Sequence, residues 1–297
     1  MPTPETTENS YAVIGAGPAG LAGVRNLAKA GIGVVGFEAH TGVGGLWDIE
    51  NPHSTMYKSA HLISSRTTTA YAEFPMREDV ADYPSHRDMR VYFDDFADRF
   101  GLRPHYRFGT RVDRVEPDGE HWSVTSTGPE GERTETFRGV VIANGTLSEP
   151  SIPTFEGEFA GELLHTSAYK DPEVFKGKRV LIIGAGNSGC DIAVDAVHQA
   201  ASVDLSVRSG YYFIPKYIFG KPADTLNQGR PLPAWLKTKV DGTLLRLLTG
   251  RASISLTETG IPCESCLTPT ATGSMPRGWK PRAVMCSRSP SQTVIGR

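Results

Sequence analysis

Apolar and polar positions alternate along this chain with two different periods, and the changes between them mark out its elements. Ala12, Val13 and Ile14 form a short apolar run that opens onto a glycine turn, an alanine-rich helical pattern follows, and a second apolar run spans Gly33 to Phe37. That is strand, turn, helix, strand. The same order recurs later. KRVLIIGAGNSG at 178–189 is a buried strand opening onto glycines, Cys190, Ala193, Val194 and Val197 then make a stripe at helical spacing, and Val203 to Val207 alternates as a strand. Between the two units, Met89, Tyr92, Phe93, Phe96 and Phe100 stand at helical spacing and read as core. From Arg107 to Ala143 the period becomes strand-like, with Phe108, Val112, Val115, Trp122, Val124, Phe137 and Val140 to Ile142 separated by turns at Pro117–Gly119 and Gly128–Gly131. A β-meander followed by a returning buried strand is expected there. Ala143, Asn144 and Gly145 close that strand, and Pro150 and Pro153 begin a linker. The expected fold class is α/β: two Rossmann-like dinucleotide-binding domains, with a β-meander inserted in the first.

The glycines carry the chemistry. In the stretch Gly15, Ala16, Gly17, Pro18, Ala19, Gly20, the first glycine permits a tight turn, the second lets backbone approach a pyrophosphate, and the third lets helix and strand pack closely. Free N–H groups and the positive end of the helix then face the phosphates. Glu38, at the end of the second run, suits a ribose 2′-hydroxyl. A lone glycine motif is weak, but this chain repeats it at Gly184, Gly186 and Gly189, with Asn187 and Ser188 between. In the second unit the position equivalent to Glu38 holds Arg208 beside Ser209. That pair suits the 2′-phosphate of NADP through charge-assisted hydrogen bonds, the alternative being a surface arginine at a strand end. FAD in the first unit and NADPH in the second is the economical assignment. HTGVGGLW at 40–47 is a further glycine cluster. Gly44 and Gly45 could lie against a flat ring walled by Trp47, or the stretch could be a loop with one buried tryptophan. Residues 57–76 lack a clear period and read as irregular active-site surface; YPSH at 83–86 reads as a turn.

With 297 residues the chain has room for about two domains. A net charge of −2 and 39% hydrophobic content exclude a disordered chain and a basic nucleic-acid binder. The first ten residues have neither the positive nor the apolar region of a signal peptide, and no apolar run approaches the length of a membrane span, so no membrane partner and a cytoplasmic location are expected. The expected organisation is a disordered arm over 1–9, a first nucleotide-binding domain over 10–155, a linker plus second domain over 156–250, and an atypical, disordered tail over 251–297.

On these residues the chain resembles the flavin-containing monooxygenases, class B flavoprotein monooxygenases with one FAD domain and one NADPH domain. The family pattern FxGxxxHxxx(Y/F) is met by Phe159, Gly161, His165 and Tyr169 between the two glycine motifs. GAGPAG, GGLW, YPSH, GAGNSG and RSGYYFIPKYIFGKP look like family sequence too, and the likeness covers roughly 9–250. The resemblance implies that Gly15, Gly17, Gly20, Glu38, Gly45, Leu46 and Trp47 contact FAD, and that Ser188, Gly189, Cys190, Asp191 and Arg208 lie along NADPH. It implies that NADPH reduces FAD, that O₂ forms a C4a-hydroperoxide on the flavin, and that this species oxygenates a nitrogen or sulfur nucleophile of a small organic substrate. No protein acid or base is then required, and His165 takes a hinge or structural role. Tyr169, where Baeyer–Villiger enzymes carry tryptophan, points to the monooxygenase branch. The chain departs from the family where members carry a flavin-facing asparagine: it has Ile63, with Ser64 beside it, and isoleucine cannot hydrogen-bond a flavin oxygen adduct.

From about Arg251 the composition changes. The last stretch lacks Asp, Asn, Phe, Tyr and His, holds three of the four cysteines, and has six Lys/Arg against two Asp/Glu. A family-type C-terminal completion is missing from it, and an out-of-frame tail on a truncated reading frame is the expectation, with a catalytically incompetent remnant or an uncoupled NADPH oxidase releasing H₂O₂ as alternative functions. Cys263, Cys266 and Cys286 suggest zinc by spacing, but no histidine follows His198 to complete four ligands, so no metal is expected.

Overall fold

The structure is a computed structural model that describes residues 7–207, 215–226, 233, 236, 242–243 and 293–296. Arg208, Ser209, Cys263, Cys266 and Cys286, each singled out above, lie outside the described residues. Of the 1–9 arm, residues 7–9 are described, with Thr7 only 2% exposed and Glu8 and Asn9 exposed. The chain divides into two compact units. The first comprises Met1–Lys58, Ala72–Val80 and Pro84–Glu149, and the second Ser59–Tyr71, Ala81–Tyr83 and Pro150–Arg297. The boundary near 150 falls where the prolines begin. The division departs from a contiguous 10–155 segment, because 59–71 and 81–83 pack with the later residues.

In the first unit β1 (Ser10–Ile14), β2 (Gly33–Glu38), β3 (Tyr106–Phe108) and β7 (Gly139–Ile142) form a parallel sheet in the order β3-β2-β1-β7. Helix α1 (Pro18–Lys29) joins β1 to β2 and buries Gly20, Leu21 and Val24. The antiparallel meander β4 (Arg111–Asp118), β5 (His121–Gly128) and β6 (Gly131–Phe137) is present as expected. It packs Val124 and Phe137 into one core cluster with Ala12, Val35 and Phe37. Phe37 and Phe137 meet edge to face at 5.9 Å. One expectation is corrected: β7 returns beside β1, but Ile142 at its end is 71% exposed, so this edge strand is buried only at its start.

Helix α2 (His86–Arg99) buries Met89, Tyr92, Phe93 and Phe96, as the spacing predicts. Its start is set by Ser85, whose hydroxyl accepts from the Asp88 N–H while the Asp88 carboxylate accepts from the Ser85 N–H, a reciprocal capping box.

The second unit repeats the strand, glycine turn, helix and strand order of the first. Its sheet runs β10-β9-β13-β8, with β8 (Leu164–His165), β9 (Arg179–Ile183), β10 (Ser202–Ser206) and β13 (Thr293–Gly296) all parallel to their neighbours. β13 pairs with β9 as β7 pairs with β1 in the first unit, and it comes from a stretch in which the sequence shows no sustained period. β11 (Tyr217–Ile218) and β12 (Lys221–Pro222) make a small hairpin. Helix α3 (Asn187–Val197) buries Gly189, Ile192, Ala193 and Ala196. The predicted stripe is therefore displaced: Val194 faces outward at 49% exposure, because Ile192 and Ala196, four residues apart, set the buried face. Among the described residues no helix is long and apolar enough to cross a membrane.

Candidate functional site

Both glycine turns sit at the carboxyl ends of parallel strands, where open α/β sheets hold ligands. In the first, the Gly15 N–H donates to the Phe37 carbonyl at 2.7 Å, joining the turn to the end of β2. Gly15 adopts φ +105, which disfavours any side chain. A Cβ on Gly20 would stand 1.8 Å from the Gly15 carbonyl oxygen, so the third glycine is what lets α1 start this close to the strand. Gly17 is the N-cap of α1, Pro18 opens the helix, and neither a side-chain cap nor an acidic residue fills its first turn. The first turn of the helix therefore has no side-chain partner from its own cap or its own acidic residues.

Glu38 is 8% exposed and already bound into this turn. Its Oε2 accepts the Ala16 N–H at 2.6 Å and its Oε1 accepts the His40 N–H at 2.8 Å. A carboxylate has about four acceptor positions, so each oxygen keeps one for a hydroxyl. The two backbone bonds fix the orientation of the carboxylate.

The 40–47 loop folds against the same turn. The Gly44 N–H donates to the Ala16 carbonyl at 2.9 Å, Gly44 and Gly45 both have positive φ, and Gly45 to Trp47 form a single 3₁₀ turn. Leu46 and Trp47 are half-buried. Two residues that sequence reasoning missed hold this loop. Arg90 on α2 donates from Nη1 to the Val43 carbonyl at 2.7 Å, and its Nε lies 3.4 Å from Asp48 Oδ2. Asp48 Oδ2 also stands 3.2 Å from His40 Nε2. Nothing local in the sequence signals this arrangement, since Arg90 lies more than forty residues from the loop it braces.

The second turn is built alike. Gly184 has φ +100 and donates its N–H to the Ser206 carbonyl at 2.8 Å, and a Cβ on Gly189 would stand 2.1 Å from the Gly184 carbonyl oxygen. Gly186 caps α3 without a side-chain bond. Asn187 is exposed, and Ser188 and Asp191 are half-buried. Burial, and secondarily Asp191, push the Cys190 thiol above its ordinary pKa, and its Sγ lies 3.6 Å from the Ala185 carbonyl. The raised pKa favours the thiol form of Cys190 beside the turn.

The motif residues between the turns have structural partners. The ring of Phe159 lies over Gly161, where a Cβ would meet it at 2.5 Å. His165 Nδ1 accepts from the Ser167 N–H at 3.2 Å and caps a short 3₁₀ turn, and its buried Nε2 has no hydrogen-bond partner among the described residues. Tyr169 is 1% exposed, stacks on Phe175 at 5.3 Å, and donates its hydroxyl to Asp195. Ile63 and Ser64 lie in the 59–71 segment of the second unit: Ile63 is 64% exposed, and the Ser64 hydroxyl bonds Thr69 Oγ1 at 2.7 Å. Among the described residues no group of three or more His, Cys, Asp or Glu is placed to hold a metal ion.

The family model that matches this chain is the one described as flavin-binding monooxygenase-like, over residues 8–254. Human flavin-containing monooxygenase 1 is 34% identical over 218 residues, covering 69% of this chain and 41% of the human protein. The chain therefore spans about two fifths of the length of the curated relatives it matches. Among solved structures, S-allyl-L-cysteine S-oxygenase from Allium sativum superposes with a TM-score of 0.64 at 29% identity, covering 71% of this chain and 54% of that one. OTEMO in complex with FAD and NADP superposes with a TM-score of 0.57 at 31% identity, covering 69% and 40%.

Proposed function

The chain belongs to the flavin-binding monooxygenase-like family, and we propose that it binds FAD in its first unit and NADPH in its second and oxygenates a nitrogen or sulfur nucleophile of a small organic molecule. The observation that carries this reading is the pair of glycine turns that open α1 and α3 without side-chain caps, set against α2, which is capped by Ser85 and Asp88. A helix end without a cap, at the carboxyl end of a parallel strand, is suited to a phosphate. The OTEMO complex, which holds both FAD and NADP, supports the choice of dinucleotides, and the garlic S-oxygenase supports a sulfur nucleophile.

The residues present fit these groups. The Gly15–Gly20 turn would receive the FAD pyrophosphate on backbone N–H groups, Glu38 would accept from ribose hydroxyls, and Gly45, Leu46 and Trp47 would flank the ring system. Gly184, Gly186, Asn187, Ser188 and Gly189 would do the same for NADPH, with Asp191 alongside and with Arg208 and Ser209 taking the 2′-phosphate. Bound FAD supplies the redox chemistry: NADPH gives two electrons, one oxygen atom of O₂ enters the substrate, and the other leaves as water. The protein's own part is to bind, orient and keep water from the reacting oxygen.

The test is the visible spectrum of the purified chain before and after anaerobic NADPH. A yellow protein that bleaches, and that then yields stoichiometric S-oxide or N-oxide from a sulfide or tertiary amine in air, is the expected result. Absence of bound flavin after incubation with excess FAD overturns it. Bleaching followed by H₂O₂ without oxygenated product narrows the activity to an NADPH oxidase.

A further inference from the structure

The second unit holds an amine whose partner is not a carboxylate. Lys29 Nζ faces Glu73 and Lys178 Nζ faces Glu162, whereas Lys216 Nζ is hydrogen-bonded to His61 Nε2. Lys216 and His61 lie 155 positions apart in sequence, and both belong to the second unit.

The direction of that bond is fixed by what stands behind the ring. His61 Nδ1 is 3.1 Å from the Ser59 carbonyl oxygen, which can only accept, so Nδ1 carries the proton of the neutral imidazole and Nε2 keeps its lone pair. Lys216 is therefore the donor and His61 the base. The backbone that carries the amine is also held: the Lys216 carbonyl accepts the Tyr83 hydroxyl at 2.5 Å and the Ala223 N–H at 2.8 Å, which fills both of its lone pairs. Nζ stands 5.2 Å from the centre of the Tyr83 ring, and that ring meets Tyr217 edge to face at 5.5 Å. Lys216 as a residue is nonetheless exposed, so a reagent can reach it. Partial burial of the ammonium lowers its pKa below the ordinary lysine value, against a smaller opposing pull from Asp191, which raises the share of neutral amine.

A nucleophile within hydrogen-bond reach of a base, with the base oriented by a third group, is the arrangement that activates a side chain for covalent chemistry. We propose that Lys216 is a site of covalent acylation, taking an acyl group from an acyl thioester with His61 as the base. The neutral amine attacks the thioester carbonyl, a C–N bond forms and the C–S bond breaks. The proton shed by nitrogen passes to His61 Nε2 and from there to the leaving thiolate. The products are an amide on Lys216 and a free thiol, with no change of oxidation state. An aldehyde suits the site less well, because imine formation needs an acid to expel water and the nearby Tyr83 hydroxyl is committed to the Lys216 carbonyl. Acylation would remove the positive charge from the face of Tyr83. The site lies outside the oxygenation reading and stands without it.

The test incubates the full chain with S-acetyl-N-acetylcysteamine, a small acyl thioester, at mildly alkaline pH and follows acetylation of each lysine by peptide mass spectrometry. Lys216 is expected to be acetylated at least about tenfold faster than Lys29 and Lys178, and His61→Gln to bring it down to about their rate while leaving theirs unchanged. Lys216→Arg should abolish the fast phase. A Lys216 that reacts no faster than Lys29 and Lys178 overturns the proposal. So does a fast Lys216 whose rate is unaltered in His61→Gln, because exposure alone then accounts for it. If His61→Gln does not fold, His61→Asn takes its place, and if neither folds the ranking of the three lysines in the parent chain decides alone.

Discussion

The backbones of Gly17 and Gly45 meet so closely that a Cβ on Gly45 would stand 2.9 Å from the Gly17 Cα. Two glycine loops distant in sequence thus share one surface, and Gly45 also has φ +58. Gly45→Ala must push the loops apart and hold a strained backbone, at a cost of about 1–3 kcal/mol. Reduced thermal stability and FAD affinity weakened at least tenfold are expected, measured by melting and by fluorescence titration. An alanine variant that retains FAD as tightly as the parent chain excludes the loop pair as the cradle.

Arg90 braces that cradle from α2. Its Nη1 bond to the Val43 carbonyl is charge-assisted, it forms ion pairs with Asp48 and with Asp94, and its side chain is 28% exposed. Arg90→Met keeps the aliphatic stem and removes the Val43 bond and the ion pair to Asp48, which should weaken FAD binding by about 1.5–3 kcal/mol. NADPH binding should be unaffected. Equal losses at both sites would show a global effect.

Ser85→Ala supplies the matching control on the capped helix. Losing the capping box should lower stability by about 1 kcal/mol in a denaturant titration. FAD content should not change, because α2 does not open onto a glycine turn.

His86 gives stability a pH dependence. Burial, and secondarily Arg87, lower its pKa below the ordinary value against the smaller opposing pull of Asp88. The unfolded chain therefore takes up the proton first as pH falls. Stability from this residue is whole above the ordinary histidine pKa of about 6.5 and drains away as pH drops from there toward the folded-state pKa. Urea midpoints at pH 7.5 and 5.5 should differ less in His86→Gln than in the parent chain. Identical differences would exclude His86 as the source.

Ile63 offers a gain-of-function test. Its exposure lets asparagine replace it at little cost to folding. The family resemblance has asparagine at this position, so Ile63→Asn should raise the fraction of NADPH consumption recovered as oxygenated product. An unchanged fraction removes Ile63 from the reaction's surroundings.

What the sequence disclosed was local. Gly15, Gly20, Gly184 and Gly189 could be assigned because their reasons, a positive φ or a one-atom approach to a carbonyl, act within six residues. The position of Glu38, at the end of the strand beside its turn, could be read for the same reason. Arg90, Asp48, His61 and Lys216 escaped, because a polar side chain's partner across more than forty residues leaves no periodic trace. Val194 was misplaced on the buried face because a stripe of four apolar residues does not say which pair faces the sheet. Thr293–Gly296 escaped because four residues hold only two repeats of the strand period, too few to stand out from their surroundings.

The open ends of α1 and α3 also make the chain's stability a property of its buffer. A helix end without a cap takes whichever anion the solution offers, and an anion at ten times its Kd adds about 1.4 kcal/mol to the folded state by mass action. Melting temperatures of the cofactor-free chain recorded in phosphate or sulfate will exceed those in zwitterionic buffers, and the gap will close once dinucleotides fill both turns. Variant comparisons made in phosphate would therefore understate every defect in the glycine turns, since the solvent ion masks the loss that the mutation was made to reveal.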